Sequence, residues 1–213
     1  MGSLSLPYFY SMKAIFTKLV KKDPKLKEIL GTKKKLPLAD ATGDIYFDLV
    51  RNIAYQQLHG AAAAKIFGRF IDLFDDAYPQ PQIVAEMEVE EFRAVGYSKQ
   101  KANYIKNIAS FALENDFEHR DWDSMEDTEI IKFLTQIKGV GEWTAQMVLI
   151  FSLKRPDVFP SGDFGVQSAM IQNYGLKQEK RELIKKMKSI AEAWRPHRSI
   201  VSRYLWLYTD GDK

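Results

Sequence analysis

Residues 134–145 read LTQIKGVGEWTA, with two glycines one residue apart between two apolar approaches. Leu134 and Ile137 continue a helical stripe begun by Ile130 and Phe133, and a second helix is expected to open at about Glu142. Glycine takes left-handed backbone angles and admits close approach, so Gly139-Val140-Gly141 predicts a tight turn open to another molecule. Successive N–H groups in such a turn, with the positive end of the following helix, make a nest for an anion such as a phosphodiester. For a bare Gly-x-Gly the plainer alternative is that two glycines simply end a helix.

Outward from this turn the same apolar spacing recurs. Stripes are carried by Tyr46, Leu49, Val50, Ile53 and Ala54, and by Ala63, Ile66, Phe67, Phe70, Ile71 and Phe74. Others run through Ala102, Ile105, Ala109 and Ala112, and through Leu183, Ile184, Met187, Ile190, Ala191 and Trp194. No segment of similar length alternates like a strand, so the fold class is all-α. Thr144 to Leu153 is apolar nearly all round and predicts a buried central helix. Breaks fall at 31–40, 78–82, 94–99, 137–142 and 154–165. The run Lys33-Lys34-Lys35 reads as a solvated loop that could touch phosphate.

At 213 residues with 46% hydrophobic content, the chain can bury a sizeable core as one large domain or two small lobes. The absence of cysteine excludes disulfides, iron–sulfur clusters and thiolate zinc sites together. His59, His119 and His197 are scattered and assemble no metal site. A net charge of +3 and a pI near 8.8 permit nucleic-acid binding without indicating it. No apolar run reaches bilayer length and no signal peptide is visible, which predicts a soluble intracellular protein.

Residues 161–165, SGDFG, contain the Asp-Phe-Gly of protein kinases, but the glycine-rich loop, strand lysine and His-Arg-Asp loop that give that triplet its meaning are missing. The plain reading of Asp163 is an N-cap for a helix beginning near Phe164. Its position adds something else: it follows Gly141 by 22 residues. Leu134, Ile137, Gly139, Val140, Gly141, Thr144 and Ala145, with Asp163 at that offset, resemble the helix-hairpin-helix DNA glycosylase superfamily. IAYQQLHGAAAAKIFGRF (53–70), VGYSKQKANYIKNIA (95–109) and WRPHRSIVSRYLW (194–206) narrow the resemblance to its alkylbase branch, the 3-methyladenine glycosylase II type without an N-terminal β domain.

That resemblance implies two helical lobes with a DNA-binding cleft between them, one over 38–155 with the hairpin, the other from 1–37 plus 156–213. It implies a monofunctional enzyme acting on double-stranded DNA, most simply as a monomer, which flips alkylated purines from the stack and hydrolyses the N-glycosidic bond. A non-enzymatic damage binder of the same fold is the alternative. Asp163 takes the place of the catalytic carboxylate, and Trp206, Trp143 and Phe164 take places around the flipped base, whose positive charge favours aromatic faces. Trp206 projects away from the stripe of its own helix, so it is expected to meet either the base pocket or the second lobe. Tyr55, Tyr97 and Tyr104 are weaker pocket candidates.

Gly139, Val140, Gly141 and Thr144 would hold the DNA backbone, and Gln57, His59, Tyr97, Ser98 and Lys99 would plug the stack or enter the minor groove. Bifunctional members carry a lysine two residues past the second hairpin glycine, where this chain has Trp143. No organic cofactor is implied; a Na⁺ or K⁺ ion on the carbonyls of Thr135, Ile137 and Val140 is. Arg195, Arg198 and Arg203 could meet phosphate or pair within their lobe, and Pro196 suggests a helix start.

Overall fold

In the computed structural model residues 6–31, 36, 41–56 and 60–209 are described, and every regular element among them is helical. The helices are α1 (Leu6–Lys22), α2 (Leu26–Leu30), α3 (Ile45–Tyr55), α4 (Gly60–Ile71), α5 (Pro81–Glu86), α6 (Val89–Val95), α7 (Lys99–Glu114), α8 (Asp127–Leu134), α9 (Glu142–Met147), α10 (Phe164–Tyr174), α11 (Lys180–Ala191) and α12 (Arg198–Thr209). Two compact units divide the chain: Met1–Leu38 with Arg155–Lys213, and Ala39–Lys154. Lys33, Lys34 and Lys35 lie outside the described residues.

The split unit, built from both ends of the chain, closes around Trp194, which is fully buried with Leu19, Leu26, Ile29, Val166, Met170, Met187 and Val201. Asp23, just after α1, holds this core from within. Its Oδ2 accepts from the Trp194 indole at 2.9 Å and from the Tyr174 hydroxyl at 2.6 Å. The buried Trp194 indole, which would otherwise go unmet at a cost of about 1–3 kcal/mol, thus shares one acceptor with the half-buried Tyr174 hydroxyl.

A second strap holds the segment leading to α10. Ser199 Oγ donates to the Arg155 carbonyl at 2.6 Å and accepts from Val158 N–H at 2.9 Å. Arg198 Nε donates to Asp157 Oδ1 at 2.7 Å, and Arg195 pairs with both Asp157 and Glu192. Arg195 and Arg198 are therefore bound to acids of their own unit, the second of the two roles open to them.

The central unit is organised by α7, which lies against α3, α5 and α6. Its aromatic centre is Phe70, stacked on Phe92 at 5.5 Å and edge-on to Tyr97 at 5.6 Å. Asp44 caps α3 through Phe47 N–H and accepts the Tyr78 hydroxyl at 2.7 Å, tying the helix start to the chain beyond α4.

Three of the apolar stripes outrun their helices. Phe74 and Ile137 lie one short turn past α4 and α8, and Trp194 lies in a 3₁₀ turn past α11. Their backbones stay tied by i→i−3 bonds, Phe74 to Ile71 at 3.0 Å and Ile137 to Leu134 at 3.1 Å, which keep the side chains on the buried side after the α pattern ends. The helix expected from Thr144 to Leu153 is α up to Met147 and π over Val148–Ser152, closed by Leu153 N–H on the Val148 carbonyl. Pro196 lies in the turn before α12 rather than in its first turn.

Partial burial alone would push the Asp157 carboxyl up; the hydrogen bond and charge of Arg198, with Arg195 adding to them, outweigh it and hold the group below the usual carboxylate range. A carboxyl depressed on folding stabilises the fold above its unfolded pKa of about 3.9, and that contribution disappears as pH falls through the folded value. Asp157→Asn is therefore expected to lower stability at neutral pH by about 1–3 kcal/mol and to lose less of the remainder below about pH 4 than the parent chain, as urea titrations at the two pH values will measure.

Candidate active site

The plain reading of Asp163 holds in the structure. Its backbone is extended (φ −73°, ψ 130°), and its Oδ1 accepts from Val166 N–H at 2.8 Å, capping α10. The Asp163 N–H turns back to the Pro160 carbonyl at 2.9 Å, and Gln167 Nε2 donates to the Ser161 carbonyl at 2.9 Å, so the loop before the helix is tied at both ends. Asp163 is half-buried.

The same Oδ1 accepts from the Trp206 indole at 2.7 Å. Trp206 does leave the stripe of α12, but the partner it meets is the carboxylate itself, with the rest of the ring packed half-buried against the core of its own unit. Gly165 makes this approach possible: a Cβ there would stand 2.9 Å from Trp206 Cδ1 and 3.3 Å from Asp163 Oδ1. No pattern in the sequence marked Gly165; its requirement comes from a side chain more than forty residues away. Phe164 is 85% exposed.

In the other unit, Gly139 carries the strain of the hairpin. Its φ is +109°, and a Cβ would fall 2.3 Å from the Tyr104 ring, so a left-handed angle and a ring at contact both demand glycine. Gly141 differs from expectation: φ is −94°, an ordinary value, and nothing stands within 4 Å of a Cβ. It serves as the N-cap of α9. Helix α7 supports the turn through two residues three apart, Tyr104 against Gly139 and Asn107, whose Nδ2 donates to the Lys138 carbonyl at 3.0 Å. Tyr104 is thus a brace for the hairpin, a role that spacing alone could not assign.

Val140 and Thr144 point inward, at 4% and 2% exposure. The Thr144 hydroxyl accepts from Gln56 Nε2 at 3.0 Å, and Lys101 Nζ donates to the Ala54 and Gln56 carbonyls at 2.8 and 2.7 Å, locking the end of α3 beside α9. Burial lowers the Lys101 pKa. Val140 and Thr144 therefore shape the hairpin with their side chains, and the Val140 N–H is itself taken by the Ile137 carbonyl. Trp143, the second residue of α9, is 39% exposed.

Among the residues expected to plug the stack, Tyr97 is corrected. It is 4% exposed, its ring lies against Phe70 and Phe92, and burial raises its hydroxyl pKa. The left-handed Gly96 turns this side chain inward and leaves Ser98 and Lys99 exposed; Ser98 caps α7 through Lys101 N–H at 3.2 Å. Gln57 and His59 lie outside the described residues.

Of the carbonyls proposed for a cation, that of Ile137 accepts from Val140 N–H at 2.9 Å, while the Thr135 hydroxyl turns away to the Ile131 carbonyl at 2.8 Å. Neutral oxygen donors suit a hard monovalent ion. No group of three or more His, Asp or Glu residues gathers as a metal site among the described residues.

A family match covers residues 50–196, a span holding both the hairpin and Asp163, and the chain belongs to that family, the HhH-GPD superfamily of base excision DNA repair proteins. Within it, the similarity runs to the DNA-3-methyladenine glycosylases. DNA-3-methyladenine glycosylase 1 of Schizosaccharomyces pombe is 34% identical over 163 residues, 76% of this chain and 71% of that protein. The DNA-3-methyladenine glycosylase of Saccharomyces cerevisiae is 30% identical over 91% of this chain and 69% of its own. Bacillus subtilis YfjP is 31% identical, and the match spans 58% of its length. The structure of the S. pombe 3-methyladenine DNA glycosylase Mag1 in complex with abasic DNA superposes with a TM-score of 0.76 at 30% identity, covering 91% of this chain and 93% of that one. The DNA-3-methyladenine glycosidase of Bacillus halodurans gives 0.77 at 30% identity, with 92% and 88% covered.

The two hairpin glycines should respond differently to alanine. Gly139→Ala forces a side chain into a left-handed angle and into the Tyr104 ring, and is expected to cost about 1–3 kcal/mol, whereas Gly141→Ala is expected to change stability by less than about 1 kcal/mol; thermal melts of the two variants will measure the contrast.

Proposed function

We propose that this chain removes alkylated purines of the 3-methyladenine and 7-methylguanine type from double-stranded DNA, hydrolysing the N-glycosidic bond and leaving an abasic site. The observation that carries the reading is the Asp163 carboxylate, held at a helix start by Val166 N–H and the Trp206 indole, in a chain of the HhH-GPD superfamily.

The chemistry follows from the carboxylate. As the bond from C1′ to the base nitrogen lengthens, the pair of electrons leaves with the base and positive charge grows on the sugar. A fixed carboxylate near that carbon stabilises this charge, and the same group can orient the water that attacks C1′ and take its proton. A purine alkylated at a ring nitrogen already carries positive charge, so it departs with little need of a general acid. Flipping brings the nucleotide to the carboxylate, and an aromatic face such as that of Trp206 or Trp143 attracts the cationic base by about 0.5–2 kcal/mol. The hairpin backbone around Gly139 and Gly141 would hold phosphate without reading sequence. A Na⁺ or K⁺ ion on the carbonyls of Thr135, Ile137 and Val140 would add positive charge beside that phosphate. The protein would work as a monomer on DNA inside the cell.

Asp163→Asn separates charge from architecture. The amide oxygen can still accept from Val166 N–H and from Trp206, and asparagine is as good an N-cap as aspartate. The variant is expected to fold and to bind DNA as before, while release of methylated bases from alkylated duplex falls by about 10²–10⁴-fold. Undiminished release would remove the assignment; binding by the parent chain without any release would instead favour a non-enzymatic damage binder.

Trp143 stands where strand-cleaving relatives would present an amine. Borohydride added during turnover is accordingly expected to trap no covalent protein–DNA adduct, as a denaturing gel will report.

A further inference from the structure

The near-neutral total charge conceals a division. The unit made of Met1–Leu38 and Arg155–Lys213 holds 20 Lys and Arg against 9 Asp and Glu, a formal +11, whereas Ala39–Lys154 holds 11 against 19, a formal −8. The net +3 that gave so weak a signal is the remainder of two large opposite values.

Within the basic unit the charge is ordered on α11. Leu183 and Met187 face the core, and Arg181, Lys185 and Lys188 are exposed. At about 100° per residue the three cations fall within an arc of roughly 60° on the side opposite Leu183 and Met187, and they span about 10 Å of helix. Among the described residues none of the three has an ion-pair partner. Cations spaced at i, i+4 and i+7 repel one another and weaken the helix that carries them. Arg195 and Arg198 of the same unit are neutralised by Asp157 and Glu192, whereas the one acid of α11, Glu182, lies beside the row, three residues before Lys185, without an ion pair to it among the described residues. A solvated face is the ordinary fate of surface lysines, but it does not call for an aligned row without ion pairs on the unit that carries the excess positive charge.

We propose that the Arg181–Lys185–Lys188 row is a phosphate-contact surface for duplex DNA, distinct from the hairpin, which supplies salt-dependent binding to undamaged sequence. This rests on the reading of the protein as a DNA glycosylase. A row of cations without an accompanying reader of base edges attracts any duplex equally, which suits an enzyme that must sample unmodified DNA before meeting a lesion. The acidic central unit would oppose the same attraction, so background binding is concentrated on the basic one.

The test compares the parent chain with the triple variant Arg181→Gln, Lys185→Gln, Lys188→Gln, and with a control of equal charge change in the same unit, Lys13→Gln, Lys27→Gln, Lys177→Gln. Glutamine keeps helix propensity, and circular dichroism checks the fold. Affinity for an undamaged duplex of about 20 base pairs is measured by fluorescence anisotropy between about 50 and 200 mM salt. Neutralising the α11 row is expected to lower the slope of log affinity against log salt by about 2–3 and to weaken binding at the low-salt end about tenfold or more. Single-turnover base release at saturating enzyme should stay unchanged. An unaltered slope, an equal loss in the control, or a loss seen with anionic phosphatidylserine vesicles and not with DNA would each overturn the proposal. A parent chain that binds the duplex yet releases no base from methylated DNA would fail the glycosylase reading while leaving the row testable.

Discussion

One oxygen atom, Asp163 Oδ1, starts a helix and fixes the orientation of its own carboxylate in the same act. It accepts from Val166 N–H at 2.8 Å and from the Trp206 indole at 2.7 Å. The first contact satisfies a donor that α10 cannot satisfy internally, so the carboxylate is where it is for structural reasons. The second sets its rotation. Gly165 clears the path of the indole, Ser199 and Arg198 strap residues 155–158 to α12, and elsewhere in the same unit Asp23 joins Trp194 and Tyr174. A carboxylate held this way is fixed in place, which is the preorganisation that the reaction proposed for it requires.

The hairpin obeys a similar economy in the other unit. Its residues are committed within their own unit: Val140 inward, Thr144 to Gln56, and Gly139 under the Tyr104 ring. The support comes from α7, whose Tyr104 and Asn107 meet the turn one helical step apart. A turn stiffened in this way has already lost the entropy that an unbraced loop would lose on ordering. The basic excess of the chain belongs instead to the split unit, and the acidic excess to the central one.

Much of this was legible in the residues. The all-helical class followed from 3.6-residue spacing, the opening of α9 at Glu142 from the glycine turn, and the capping role of Asp163 from its residue type ahead of an apolar run. The family followed from LTQIKGVGEWTA and the 22-residue offset to Asp163. Such features are local, or repeat at the period of the helix, and so survive in a linear string. Where spacing overreached, at Phe74, Ile137 and Trp194, short turns kept the side chains on the buried face after the helix had stopped.

Contacts between residues distant in the chain belong to a different category. That Tyr97 is core, that Tyr104 braces Gly139, that Gly165 is required by Trp206, and that the Trp206 indole bonds to Asp163 were all decided by the tertiary fold. In each case the deciding quantity is the distance between groups set by how helices pack, which no periodicity within one helix encodes. Sequence by itself determined the helical class, the opening of α9 and α10, and the family to which the chain belongs; only the packed structure determined where the other helices begin and end and which side chain satisfies which donor, because those choices are made when the helices meet.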